Sequence, residues 1–98
     1  MALRIIWSEL ALHDLRSIVT YIARDDGETA RKFGFKLIGK VGVLTGFPFV
    51  GRIVSEFKDE NLRELVLSPY RIVYEVDANS GTVSVLRIWH SARGNLDL

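Results

Sequence analysis

The sequence predicts an α+β domain in the order β-α-α-β-β-β, with three or four strands after the helices, an antiparallel sheet with an N-terminal helix hairpin packed on it. Three observations carry this. Apolar residues recur at helical spacing through two early segments. They alternate at period two in the later ones. The later segments are joined by short turn-forming clusters, which make neighbouring strands antiparallel.

The first element is "LRIIW", residues 3–7, short and rich in β-branched residues, as a strand requires. Ser8 follows as a helix N-cap, with Glu9 placed for the helix dipole. Ala11, Leu15, Ile18 and Ile22 then mark one helical face, widened by Leu12, Val19 and Ala23. The helix ends near Ala23 or Arg24, with His13, Arg16, Thr20 and Arg24 on its other face. "RDDGET" breaks the pattern, and Asp25 or Asp26 caps the next helix. Ala30, Phe33, Leu37, Val41 and Leu44 give the second stripe. Gly34, Gly39 and Gly42 interrupt it at a cost of about 1 kcal/mol each relative to alanine, and close packing against the first helix is the simplest compensation.

Residues 46–52, "GFPFVGR", form a loop. "RIVSEF" is a short strand, "KDEN" a turn, "LRELVL" a strand and "SP" a tight connection. "YRIVYEV", the hairpin turn "DANSG" and the strand "TVSVLRIW" complete the sheet. Residues 1–98 are expected to form one domain, since half this length would not hold a core.

With no cysteine, the chain has no disulfide, no thiolate nucleophile and none of the common structural zinc sites. Two histidines rule out a histidine-rich metal site, and no cofactor is expected. No apolar run approaches the ~20 residues of a membrane span, and the N-terminus lacks a leader pattern. A cytoplasmic protein without a membrane partner is the expectation. Thirteen basic and twelve acidic side chains argue against bulk electrostatic binding of nucleic acid but permit a local basic patch.

The residues that remain for chemistry are Glu56, Arg63, Arg71, His90 and Arg93, with Tyr70 and Trp89 beside them. Strand alternation puts Tyr70, Ile72, Tyr74 and Val76 on one face and Arg71, Val73 and Glu75 on the other. Arg63 shares a face with Leu65 and Leu67. His90 shares one with Leu86 and Ile88, leaving Arg87 and Trp89 opposite, Arg87 as partner surface and Trp89 as core or partner surface. Brought together, the set suits RNA cleavage by its own 2′-hydroxyl. Glu56 would take the proton, Arg63, Arg71 and Arg93 would neutralise the phosphate, and His90 would protonate the leaving oxygen. Tyr70 or Trp89 would stack on a base. The competing reading pairs Arg63 and Arg71 with Glu64 and Glu75 across strands and leaves Glu56 and His90 solvated.

The ordered series "IIWSELALHDLRSIVTYIARD", "FPFVGRIVSEF", "NLRELVLSPYRIVYEV" and "VLRIWHSAR" resembles the RelE/ParE superfamily of bacterial toxins from type II toxin–antitoxin modules. The resemblance spans about nine-tenths of the chain. It implies a cognate antitoxin partner, a toxin–antitoxin hetero-oligomer, and one of two activities. RelE-like and YoeB-like toxins are endoribonucleases (mRNA interferases) that cut mRNA on the ribosome. ParE-like toxins, associated with plasmid stabilisation, inhibit DNA gyrase without a nuclease set. In the nuclease groups, Arg71 falls on the phosphate-binding arginine and Arg63 near a second basic position. Glu56 and His90 fall on the general base and C-terminal histidine of the YoeB-like group, and Arg93 on a basic residue of the RelE-like group. Ser91 stands where the YoeB-like group has a tyrosine. The resemblance is read first as ribosome-dependent mRNA cleavage, with gyrase inhibition as the alternative.

Overall fold

The computed structural model describes residues 2–98. Strand β1 (Arg4–Trp7) leads into helices α1 (Glu9–Ala23) and α2 (Gly27–Gly42) and a 3₁₀ turn, Val43–Thr45. Strands β2 (Arg52–Ile53), β3 (Leu62–Leu67), β4 (Tyr70–Asp77) and β5 (Thr82–His90) follow, then a second 3₁₀ turn, Ser91–Arg93. The strands form one sheet in the order β1-β5-β4-β3-β2.

Both caps form as the side-chain chemistry requires. Ser8 Oγ accepts the Ala11 N–H, and Asp26 accepts the Glu28 N–H, each satisfying an otherwise orphaned donor. The second stripe is buried at Ala30, Leu37 and Val41 of α2 and at Leu44 of the turn that follows. Each large member removed from water contributes roughly 1.5–3 kcal/mol. The glycines divide differently from expectation. Gly34 does face α1, where an added Cβ would lie 3.6 Å from Val19 Cγ2, whereas nothing approaches Gly39 or Gly42 within 4 Å.

The sheet departs from the expected all-antiparallel form at one edge. β2 to β5 are antiparallel, but β1 pairs with β5 in parallel, Arg4 opposite Thr82 and Trp7 opposite Val85. The helix hairpin carries the chain across the sheet, so the first strand adds beside the last. "RIVSEF" is a strand only at Arg52 and Ile53. The Val54 N–H still reaches the Leu62 carbonyl, and the chain then turns, with the Phe57 N–H on the Val54 carbonyl. That turn aims Glu56 back over the sheet.

A bulge in β5 resets the alternation. Val73 opposes Arg87 while Tyr74 opposes Val85, so Leu86 is the extra residue. Leu86 therefore packs with Trp89 and not with Ile88. Two cores result. The helix-side core holds Ile18, Leu37, Leu44, Ile72, Tyr74, Val85 and Ile88. A smaller one on the opposite face holds Val54, Leu62, Val73, Trp89 and Leu96. Trp89 is thus core rather than partner surface. Two cations lie against its ring, Arg93 at 4.0 Å and Arg87 at 5.2 Å from the centroid.

Candidate functional site

Register decides which candidates meet. Tyr70 opposes His90, and Arg71 opposes Trp89. Adjacent residues of a strand point to opposite faces, so Arg71 and His90 are neighbours along the sheet but lie on opposite sides of it.

On the face away from the helices, Arg71 is buried in a cage of carboxylates. Its Nε and Nη2 donate to Glu64 Oε1 at 2.7 and 2.5 Å. Its Nη1 and Nη2 donate to Glu56 Oε2 and Oε1, both at 2.8 Å. Four of the five guanidinium N–H bonds are therefore spent. Glu64, 3% exposed, also receives Arg52 Nε. The four charges sum to zero. Glu56 has a further duty: its Oε2 accepts the Leu96 N–H at 2.6 Å and seats the C-terminal segment. Trp89 Nε1 donates to the Gly94 carbonyl and holds the same segment from the other side. Gly94 has φ 82°, a backbone region that favours glycine.

The electrostatics follow. The hydrogen-bonded Arg71 guanidinium, helped by the Leu96 N–H, holds the Glu56 carboxyl well below the usual carboxylate range. Glu56 in return raises the already high pKa of Arg71, against the opposing effect of burial. A carboxylate so stabilised in its charged form is a weak proton acceptor, because its conjugate acid is a strong one.

On the helix face, a cleft of about 370 Å³ opens between α1 and the end of β5. Ser17, Tyr21, Tyr70, His90 and Arg93 line it, over Ile18 and Ile88. His90 Nδ1 accepts the Ala92 N–H, which leaves Nε2 as the free ring nitrogen. The Tyr70 ring stands edge-on between His90, 5.1 Å away, and Phe33, 5.5 Å away. Burial pushes the Tyr70 phenol up from its ordinary value, and nearby Tyr21 adds to the shift.

Arg63 joins neither group. It opposes Tyr74 in β4, and its guanidinium donates to the carbonyls of Glu60, Phe49 and Gly51 while lying over the Phe49 ring. It pins the loop before β2. The structure thus brings Glu56 to Arg71, and Tyr70 to His90 and Arg93, but keeps the two groups apart. The cross-strand alternative holds for Arg71 with Glu64; Glu75 is exposed and takes no part.

One buried carboxylate was missed in the sequence, and a second, Glu64, was named only as a cross-strand partner and not as a buried group. Asp14 of α1 accepts Arg87 Nε and Nη2 and also the Ile88 N–H, closing the β5 edge where β1 ends. Its signal was legible, since position 14 lies on the apolar stripe between Ala11 and Ile18. Arg87 is therefore committed to Asp14 and is not a partner contact. Glu64 follows the buried Leu62 on one face of β3, whose far end at Val66 is exposed. Each demanded a buried cation.

Comparison with known proteins identifies the family. The profile of the family described as "ParE toxin of type II toxin-antitoxin system, parDE" matches residues 5–94. Toxin RelE2 of Caulobacter vibrioides is 34% identical over 91 residues, covering 92% of this chain and 97% of that protein. The toxin fold of the chromosomal ParDE system from P. aeruginosa superposes with a TM-score of 0.74 at 22% identity, over 91% of this chain and 96% of that one. A mutant E. coli toxin RelE in the free state gives 0.67 at 22% identity, over 96% and 88%. With a family profile spanning nearly its whole length and a fold shared with both kinds of toxin, the chain belongs to the ParE toxin family, within the RelE/ParE superfamily of type II toxin–antitoxin toxins.

Proposed function

We propose that this toxin acts in the cytoplasm and disables its target by binding, without cutting RNA, and that the target is DNA gyrase, as its family implies. The observation that carries the reading is the state of Arg71. A phosphate-binding arginine needs uncommitted N–H donors and unbalanced charge. Arg71 has one free N–H and two carboxylates against it. A phosphate arriving there would meet Glu56 and Glu64 as like charges. Glu56 is bonded at both oxygens, and His90 is on the other side of the sheet.

The second reading, ribosome-dependent mRNA cleavage, draws support from the 34% identity to Toxin RelE2. It requires the cage to open and Glu56 to release both Arg71 and Leu96. Parallel assays separate the two: gyrase supercoiling, and mRNA integrity on translating ribosomes. Inhibited supercoiling with intact mRNA supports the binding reading; cut mRNA with active gyrase overturns it.

A cognate antitoxin completes the proposal. Support comes from the family description and from the apolar surface left exposed. Phe35 and Ile38 project from α2, Phe47 and Val50 precede the short edge strand β2, and Ile53 belongs to it. An antitoxin helix or extended segment laid over these would cover apolar area and an open sheet edge together.

A further inference from the structure

We propose that the outer edge of β2, with the loop before it, is an interface that joins two copies of this chain about a two-fold axis. The inference concerns the toxin alone. It goes beyond the antitoxin reading and does not rest on it.

The edge presents backbone groups suited to pairing. The Val54 N–H reaches the Leu62 carbonyl, and Arg52 lies opposite Glu64. Bonded and non-bonded positions alternate along an antiparallel pair, so the N–H and carbonyl of Ile53, between those two positions, point away from β3. In an antiparallel pairing centred on Ile53, the N–H of each copy's Ile53 donates to the other's Ile53 carbonyl. The two bonds are related by the two-fold axis, as a contact between identical surfaces requires. The pairing also joins two five-stranded sheets into one.

Apolar side chains surround this edge. Phe47, Phe49, Val50 and Ile53 are between 44 and 68% exposed. They lie close together: the Val50 N–H bonds the Phe47 carbonyl, Ile53 opposes Arg63, and the Arg63 guanidinium lies over the Phe49 ring. The loop is already held in shape. Arg63 bonds the Phe49 and Gly51 carbonyls, and the Gly51 N–H donates to the Tyr74 hydroxyl, so association orders little new backbone. Charged side chains usually guard an open edge. Here Arg52 is bound to Glu64 and Arg63 to the loop carbonyls, so neither stands over Ile53 as a free charge.

Area and charge select a second copy as the occupant. At roughly 200 Å² for a fully exposed phenylalanine and somewhat less for the aliphatic residues, the four side chains leave about 350–400 Å² of apolar surface per copy. Homodimer interfaces are about 65% apolar, so two copies would bury roughly 1,100–1,200 Å² in all, just above the ~1,000 Å² of a specific contact. A surface of one sign repels its own copy. Around this edge the signs balance, Arg52, Lys58 and Arg63 against Asp59, Glu60 and Glu64. The other exposed apolar face, at Phe35 and Ile38 of α2, lies on a helix that carries Lys32, Lys36 and Lys40 and would repel a copy of itself.

The test is sedimentation velocity of the full chain from about 5 to 500 µM, where an interface of this size should give a dimer with a dissociation constant on the order of 10–100 µM. Ile53→Lys sets two like charges opposite each other at the axis and should raise that constant at least about 10-fold. Val50→Asp, in the loop, should weaken the dimer as well, and it decides the matter if the first variant does not fold. Both positions are exposed, and circular dichroism verifies the fold of each variant. Amide exchange at Ile53 should slow as the dimer forms. A chain that stays monomeric at about 500 µM would overturn the proposal. So would a dimer that the folded variants leave intact, or one that forms without slower exchange at Ile53. Dimers lost in Phe35→Ala and kept in Ile53→Lys would also overturn it and assign the contact to α2.

Discussion

Replacing Arg71 separates a structural cation from one kept ready for phosphate. In the structure, Arg71→Ala removes four hydrogen bonds and, among the described residues, the only cation paired with Glu56, and leaves Glu64, 3% exposed, with Arg52 at its outer oxygen. Removing one partner of a buried pair typically costs 3–5 kcal/mol, because the other charge stays behind uncompensated. The loss also reaches the C-terminal segment through the Glu56–Leu96 bond. For a domain of this size, where 1 kcal/mol shifts Tm by about 4–8 °C, the expected fall is roughly 12–40 °C. Urea unfolding followed by tryptophan fluorescence gives the free energy, and a thermal melt gives Tm. An arginine held ready for substrate behaves in the opposite way, since such sites are strained and emptying them is neutral or stabilising. A loss under about 1 kcal/mol would therefore refute the cage argument. A compensated variant sharpens the test. Arg71→Met with Glu56→Gln and Glu64→Leu removes the charges together and should recover most of the lost stability.

Further outcomes follow from other contacts. Glu56 has its folded-state pKa depressed by Arg71, so its stabilisation is present above the ordinary carboxylate value near 4.3 and lost as pH falls below it; Glu56→Gln should flatten that acid limb in a pH series of urea midpoints. Gly51→Ala should cost about 1–3 kcal/mol, because an added Cβ would lie 2.5 Å from the Tyr74 hydroxyl and 2.6 Å from the Glu64 carbonyl oxygen, and thermal melts will report it. Asp14→Ala should cost about 3 kcal/mol or more by leaving Arg87 and the Ile88 N–H unpartnered, with faster amide exchange at Ile88 as the local signature.

The elements were largely legible in the chain. The helical stripes from Ala11 and Ala30, the Ser8 cap and the runs "LRELVL" and "YRIVYEV" each state their own periodicity, and the structure realises them. What was not legible is relational. The parallel placement of β1 depends on where the helix hairpin sets the chain down, not on residues 3–7 themselves. The β5 bulge changes the face of Leu86 without any glycine or proline to announce it. Glu56 and Arg71 were singled out and do meet, but alternation alone could not tell that Glu64 would complete a cage around Arg71. Nor could it separate a free guanidinium from a caged one, because that difference lies in partners 7 and 15 residues away.

The central claim, that this toxin works by binding while Glu56 and Arg71 hold the fold, is tested most directly by growth arrest on induction of Glu56→Gln beside the parent chain. The substitution keeps an oxygen acceptor for Leu96 and leaves the Arg71–Glu64 bonds in place, so the chain stays folded, as circular dichroism will verify. The account predicts growth arrest equal to the parent's within about two-fold. Loss of toxicity in the folded variant, with mRNA cleavage reduced on the order of 10²-fold in step as expected for a lost general base, would contradict it.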